Sequence, residues 1–376
     1  AFSYSRKYHM HMRCEASSVR KEGQGATRLQ NLDFLRAVAI TSVVLYHYTA
    51  RFDAAYYRTD APIPFTFQLG WLGVDIFFSV SAFCIFMTLE SAGRIENFWA
   101  KRVARIQPAY IAGILLTSTI VSLFGLSERE AGWWTAVSNI FWVNMIPSMK
   151  MVDNVYWSLA VEMKFYFWIG LLYFILKGKH ISIAWSVLSG FGALLLSLEG
   201  YFGHAGHVAS LFAEFVLIAN YAPQFLVGII AFEWPRLSQR IRTTLVPVAA
   251  VLLWSTPRSS DIEMIMLVTM AVSFCILRMP QLRFPKPVIF VGMFSYSLYL
   301  VHQNIGLVVI RELSTMIPSF TLRVFVAVVT TSLLATLMYQ LVETRWQRPL
   351  TVFLDRILSR TLRPVLSGEP KAGSVR

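Results

Sequence analysis

Charge and cysteine are both scarce in this chain. Only 15% of its 376 residues are charged and 56% are hydrophobic, against roughly 25% charged and 45–50% apolar in a soluble domain. A water-soluble enzyme of this size could not hide so much apolar surface. The three cysteines, Cys14, Cys84 and Cys275, are too few for a disulfide scaffold, and two of them lie in apolar runs. Acidic residues are also short, 21 against 34 Lys and Arg, which leaves a net charge of +13. On a soluble domain that excess would suggest nucleic acid. Here the basic residues fall in clusters between apolar stretches, as in the loops of a membrane protein, and no nucleic-acid partner is expected. No His-x-x-x-His spacing supports a metal site, and none is expected. Residues 1–28 carry no apolar core of a signal peptide, and no internal repeat is evident.

What the chain does have is long apolar runs and 28 Phe, 15 Tyr and 11 Trp. A membrane span needs roughly 17–25 mostly apolar residues. Candidates lie at 32–50, 70–90, 106–125, 155–176, 182–199, 211–232, 244–256, 262–277, 288–310 and 321–342. The expected fold is therefore all-α: a polytopic membrane bundle of about ten transmembrane helices. With both termini cytoplasmic, the inner loops collect Lys101, Arg102 and Arg105, then Lys177 and Lys179, Arg236 to Arg242, Arg278 to Lys286, and the basic run from Arg345. An eleventh span at 133–146 would turn the later basic clusters outward. Trp133, Trp134 and Trp142 are accordingly read as an outer interfacial or re-entrant segment. Residues 1–30 form a basic N-terminal tail, 31–345 the membrane domain, and 346–376 a basic cytoplasmic tail. The amphipathic part of that tail, Trp346 to Leu362, is expected on the inner leaflet. No soluble catalytic domain is expected in this stretch, so any chemistry lies in the membrane.

Ionisable groups inside spans cost roughly 2.5–3.5 kcal/mol each on insertion, which makes them functional candidates. Arg36 and His47 stand eleven residues apart on the first span, close to three turns, so they share one face about 16 Å apart. Alone, they read equally as an arginine reaching inner headgroups and a histidine at the outer interface. Asp75, Glu162 and His302 lie on three further spans, at depths placed in the outer half with His47. Each alone could be polar glue between helices; as a set they suggest one cavity. Lys164, two positions beyond Glu162, points elsewhere and reads as structural. His204 and His207 are placed in an outer loop, in solvent. At the inner face, Arg102 and Arg105 are helix neighbours. With Arg36 they would form a cationic mouth suited to phosphates.

Five motifs give the chain a resemblance. Arg36 and His47 sit in Leu32-Asp33-Phe34-Leu35-Arg36 and the run that follows. Gly73 to Phe78 reads Gly-Val-Asp-Ile-Phe-Phe. Arg102 and Arg105 make Arg-x-x-Arg, followed by Pro108 and Tyr110. Trp157 to Glu162 reads Trp-Ser-Leu-Ala-Val-Glu, and Ser295 to His302 reads Ser-Tyr-Ser-Leu-Tyr-Leu-Val-His. In this order and spacing they resemble the acyltransferase-3 family of integral-membrane O-acyltransferases, from about Leu32 to Gln303. Two positions depart from the family's pattern: Ala82 stands where Gly is common, and Met163 where a second acid often follows Glu162.

The resemblance implies transfer of an acyl group, most often acetyl, from cytoplasmic acyl-CoA to a hydroxyl of a carbohydrate or lipid-linked glycan. It also implies a bacterial inner membrane. Arg36, Arg102 and Arg105 would hold the nucleotide end of acetyl-CoA or another acyl-CoA, the donor substrate. His47 would be the general base for the acceptor hydroxyl. Asp75 or Glu162 would orient the imidazole, and His302 would bind the thioester carbonyl or the acceptor. Direct transfer and an acyl-enzyme both stay open, as does the oligomeric state. A proton-coupled transporter of a polar substrate is the competing expectation, and a purely structural protein a third.

Overall fold

The computed structural model describes residues 29–55, 65–124, 126, 129–146, 149–256 and 260–367, and every regular element among them is helical. Helix α1 (Gln30–Tyr48) leads through a short α2 (Ala50–Ala55) and a single 3-10 turn into α3 (Leu72–Ala92). Then come α4 (Ile95–Phe124), α5 (Trp133–Ile140), α6 (Trp157–Ile175), α7 (Ile181–Ser197) and α8 (Glu199–Phe215). The remainder is α9 (Ala222–Glu233), α10 (Gln239–Trp254), α11 (Ser260–Leu277), α12 (Lys286–Met293), α13 (Ser295–Glu312), α14 (Phe320–Met338) and α15 (Thr344–Ser367).

By length and composition, four described segments can cross a bilayer: Gln68–Ala92, Ile95–Phe124, Asn154–Ile175 and Phe320–Thr361. Helices α12 and α13 together make a fifth, bent by 71°. The protein is an integral membrane protein with an all-helical fold. The other expected spans coincide with helices that are shorter or more polar, such as α1, which carries Asp33, Arg36 and His47.

The centre is built from helices apolar nearly all round, the pattern of a buried helix. In α3, 72% of the apolar window is buried, and all twelve residues of α9 are. Helix α1 packs against α3, α12 and α13. A Cβ on Gly73 would collide with the Ala39 carbonyl of α1, so only glycine permits this approach of two backbones. Tyr48, fully buried, donates from its hydroxyl to the His302 carbonyl at 2.6 Å and so fastens α1 to α13.

Three expected spans are altered, each for a local reason. The span expected at 211–232 is broken between α8 and α9. Ile218 takes a left-handed conformation, φ 51°, in the gap. Two indole N–H groups, from Trp168 and Trp185, donate at 2.8 Å to the carbonyls of Val216 and Ala222 flanking it. Side-chain donors of this kind satisfy the irregular backbone between helices of a membrane protein. Consequently His204 and His207 stand exposed on α8, on a helix and not in a loop. The span expected at 288–310 bends at Phe294, where Ser295 Oγ donates to the Gly292 carbonyl at 2.9 Å. The span expected at 106–125 starts earlier, at Ile95, and continues through Pro108.

The 133–146 segment holds a helix of only eight residues, too short to span. Its far end packs against the middle of α4. Trp142 stacks on Tyr110 at 4.3 Å and donates to Gln107 Oε1 at 2.7 Å. Gln107 lies seventeen positions before the end of α4 at Phe124, roughly 25 Å along its axis. The segment thus dips inward, and Trp142 is packed inside while Trp133 and Trp134 stay exposed.

Substituting Gly73→Ala is expected to push α1 from α3 and to cost about 1–3 kcal/mol, the range for overpacking a close contact. A fall in the apparent melting temperature of the purified protein, against wild type, is the measurement.

Candidate active site

Two cavities lie one above the other between α1, α3, α6 and α13. The inner one, about 120 Å³, is lined by Arg36, Arg102, Arg105, Cys84, Glu162 and Tyr166 among others. The outer one, about 400 Å³, is lined by His47, Asp75, Arg51, Asn154 and Gln303 and by the aromatic rings of Tyr46, Trp71, Trp157 and Tyr221. Helix periodicity explains the division. Trp71, just before α3, and Asp75 on α3 face the outer cavity, and Phe78, Ser81 and Cys84, further along that helix, the inner one. On α1, Arg36 and His47 fall one to each cavity.

His47 is half-buried in the outer cavity wall. Its Nδ1 lies 2.9 Å from the Val43 carbonyl and 3.3 Å from His302 Nε2. His302 is fully buried, with Nδ1 at 2.9 Å from the Tyr299 carbonyl and 3.2 Å from that of Leu298. Those two acceptors assign the His302 proton to Nδ1 and make its Nε2 an acceptor. His47 Nδ1 then faces two acceptors and must carry the hydrogen. Its Nε2 is left as the basic nitrogen, with no hydrogen-bond partner among the described residues. The groups against His47 Nδ1 are therefore a backbone carbonyl of its own helix and a second histidine.

Of the two carboxylates expected to orient the imidazole, Asp75 is buried in the same cavity wall as His47. Glu162 lies in the inner cavity, where Ser81 Oγ and Tyr166 Oη both donate to its Oε1. The single outer cavity expected for His47, Asp75, Glu162 and His302 thus resolves into Asp75 beside His47, His302 behind it, and Glu162 below. His302 lines neither cavity. Lys164 sits away from both, 5.7 Å from the Phe215 ring.

The three arginines do converge. Arg36 donates to Asp33 Oδ1 at 3.2 Å and to Cys84 Sγ at 3.1 Å. Arg102 donates to Thr88 Oγ1 and lies over the Tyr166 ring, while its buried Nε has no hydrogen-bond partner among the described residues. Arg105 is ion-paired with Glu343, whose other oxygen accepts from Ser297 Oγ at 2.9 Å. Glu343 escapes a sequence reading because it follows the last apolar run. A π-helical turn, Tyr339–Glu343, carries it in beneath α13, and such turns recur at functional sites. The remaining signal was an acid alone beside a basic cluster.

The outer wall is held by Asp153, in the loop before α6. Its carboxylate accepts from the Asn304 and Val155 backbone amides at 3.0 and 3.3 Å. Burial lifts this carboxyl to about 6, and the two amides pull against that rise. Among the described residues, no group of three or more His, Cys, Asp or Glu side chains is placed to hold a metal.

The helical bundle thus sets three guanidinium groups at one cavity and an imidazole at the next. The acyltransferase domain family matches residues 29–340, and the chain belongs to that family, acyltransferase-3. It is 30% identical over 159 residues to the O-acetyltransferase OatA of Staphylococcus aureus strain NCTC 8325 / PS 47, covering 37% of this chain and 23% of that protein. It is 26% identical over 245 residues to the putative O-acetyltransferase SACOL0978 of Staphylococcus aureus strain COL, covering 55% of this chain and 35% of that one. The alignments span well under half the length of these curated relatives. No solved structure matches the chain. Membership of this family does not favour the transporter alternative.

Glu343→Ala leaves the Arg105 guanidinium in the bundle without its counter-ion. Breaking a buried pair costs about 3–5 kcal/mol, and the lower end is expected because Arg105 keeps 31% side-chain exposure. Thermal unfolding should show Glu343→Ala less stable than wild type, and Arg105→Leu combined with Glu343→Leu more stable than the single variant.

Proposed function

We propose that the protein transfers an acyl group, acetyl above all, from cytoplasmic acyl-CoA to a hydroxyl of a carbohydrate or lipid-linked glycan. The observation that carries this is the placement of His47: its Nδ1 lies against the Val43 carbonyl and His302 Nε2, which assigns the hydrogen to Nδ1, and the ring lines the outer cavity. His47 is the general base. As the hydroxyl oxygen attacks the thioester carbonyl carbon, Nε2 takes its proton. The O–C bond forms, the C–S bond breaks, and the proton passes to the departing sulfur. His302 acts as a positioning residue and fixes the tautomer.

The inner cavity suits the donor. Its volume, about 120 Å³, fits a narrow chain such as the pantetheine arm and is far below the roughly 300–1,000 Å³ of a drug-sized ligand site. The unsatisfied Arg102 Nε and the Arg36 fork are the donors for CoA phosphates or pantetheine carbonyls. Arg105, ion-paired with Glu343, and Arg36, ion-paired with Asp33, contribute less charge than Arg102. The outer cavity joins aromatic faces to Asp75, Asn154 and Gln303, a lining that recognises the apolar faces and hydroxyls of a sugar. An exopolysaccharide, lipopolysaccharide or peptidoglycan unit would present them. The reading includes about ten spans and both termini cytoplasmic, in a bacterial inner membrane, with the arginines facing the CoA pool.

Membranes carrying the protein are expected to move label from acetyl-CoA to a glycan. His47→Ala should lower that rate by about 10²–10⁴ with normal folding, the worth of a general base. His302→Ala should lower kcat with little change in acceptor KM, and His302→Gln, which keeps an acceptor there, should recover part of the loss. Arg102→Ala should raise the KM for acetyl-CoA and spare the acceptor KM. Wild-type transfer by His47→Ala would overturn the reading.

A further inference from the structure

The two cavities meet at two side chains. Val74 on α3 and Tyr299 on α13 line both of them. On α6 the same level falls between Trp157, which faces the outer cavity, and Ser158, which faces the inner one. The Tyr299 hydroxyl is fastened at that level, 2.6 Å from Ser158 Oγ and 3.0 Å from the Val155 carbonyl, to which it donates.

A base that activates an alcohol activates water equally well, and the outer cavity has room for both. Hydrolysis of the thioester is then prevented only by keeping the donor carbonyl from His47 until an acceptor is bound. We propose that Tyr299, with Val74 opposite, is a movable partition that seals the donor cavity from the outer one and opens when an acceptor fills it. This rests on the acyl-transfer reading. Val155 supplies the mechanical link, because it lines the outer cavity and its carbonyl holds the Tyr299 hydroxyl. An acceptor that shifts the start of α6 loosens this tie, and the ring swings away from Ser158. Tyr299 is in this account a positioning residue and carries no acyl group.

Cys84 in the inner cavity is a built-in reporter. In a Cys14→Ala, Cys275→Ala background, spheroplasts are treated with a charged, membrane-impermeant methanethiosulfonate. The Cys84 thiolate attacks its sulfur and expels methanesulfinate. Outside labelling of Cys84 should be slow in the parent and about tenfold faster or more in Tyr299→Ala and Val74→Ala. Tyr299→Phe, which keeps the ring without its tie, should fall between. Inverted vesicles, which present the inner face, should label all four alike. Without acceptor, acetyl-CoA hydrolysis should rise about tenfold in Tyr299→Ala while transfer falls. Val74→Ala, a mild truncation, keeps the test valid if Tyr299→Ala fails to fold. Outside labelling unchanged in the variants, or already fast in the parent, overturns the partition whatever the activity. Faster labelling without faster hydrolysis overturns the water-sealing role. Wild-type membranes that release no CoA with any glycan overturn the acyl-transfer reading instead, and the labelling still decides the partition.

Discussion

One helix carries the groups for both halves of the site, and the close approach of α1 to α3 holds them in register. Arg36 and His47 stand on α1 three turns apart, and their separation is set by the backbone rise alone. Where they point is set by packing: Gly73 against the Ala39 carbonyl on one side, and Tyr48 bonded to the His302 carbonyl on the other. The second contact comes from the residue next to His47 and ends on the backbone of the residue that orients it. A shift of α1 would therefore disturb His47 and His302 together.

The inner cavity shows how a membrane protein tolerates concentrated charge. Each guanidinium has a protein partner: Arg36 has Asp33 and Cys84, Arg102 has Thr88 and the Tyr166 face, and Arg105 has Glu343. The pairing is uneven, since Arg36 and Arg105 each meet a buried carboxylate and the Arg102 hydrogen bond goes to a hydroxyl. Ionisable side chains at membrane depth persist where they pair or line a cavity, and both conditions hold here. On the proposed reading, the incompletely satisfied Arg102 is the strongest anion receptor of the three.

Much of the helical plan was legible because it rests on local chemistry. The apolar runs that became α3, α6 and α14 are long, almost uncharged and uninterrupted, so length and hydropathy place them within a few residues. The run at 211–232 looked equally continuous and is broken, because what tolerates the break is a pair of indole N–H groups, one from Trp168 on α6 and one from Trp185 on α7. Nothing in the run itself records them. That 133–146 is not a span was legible from the loop charges, whereas the stacking of Trp142 on Tyr110 depends on a residue 32 positions earlier.

The candidate site divides along the same line. Residue type and one-dimensional spacing determined that Arg36 and His47 share a face of one helix, that Arg102 and Arg105 are neighbours, and that buried acids and a second histidine lie on other spans. These follow from the helical repeat, which the chain carries in itself. Tertiary structure decided which of them meet. It placed His302 behind His47, sent Glu162 down among the arginines, and brought Glu343 to Arg105 through a π-helical turn. Depth along a span is local, but the direction a helix faces is fixed by its neighbours, so no reading of separate segments could distinguish one cavity from two.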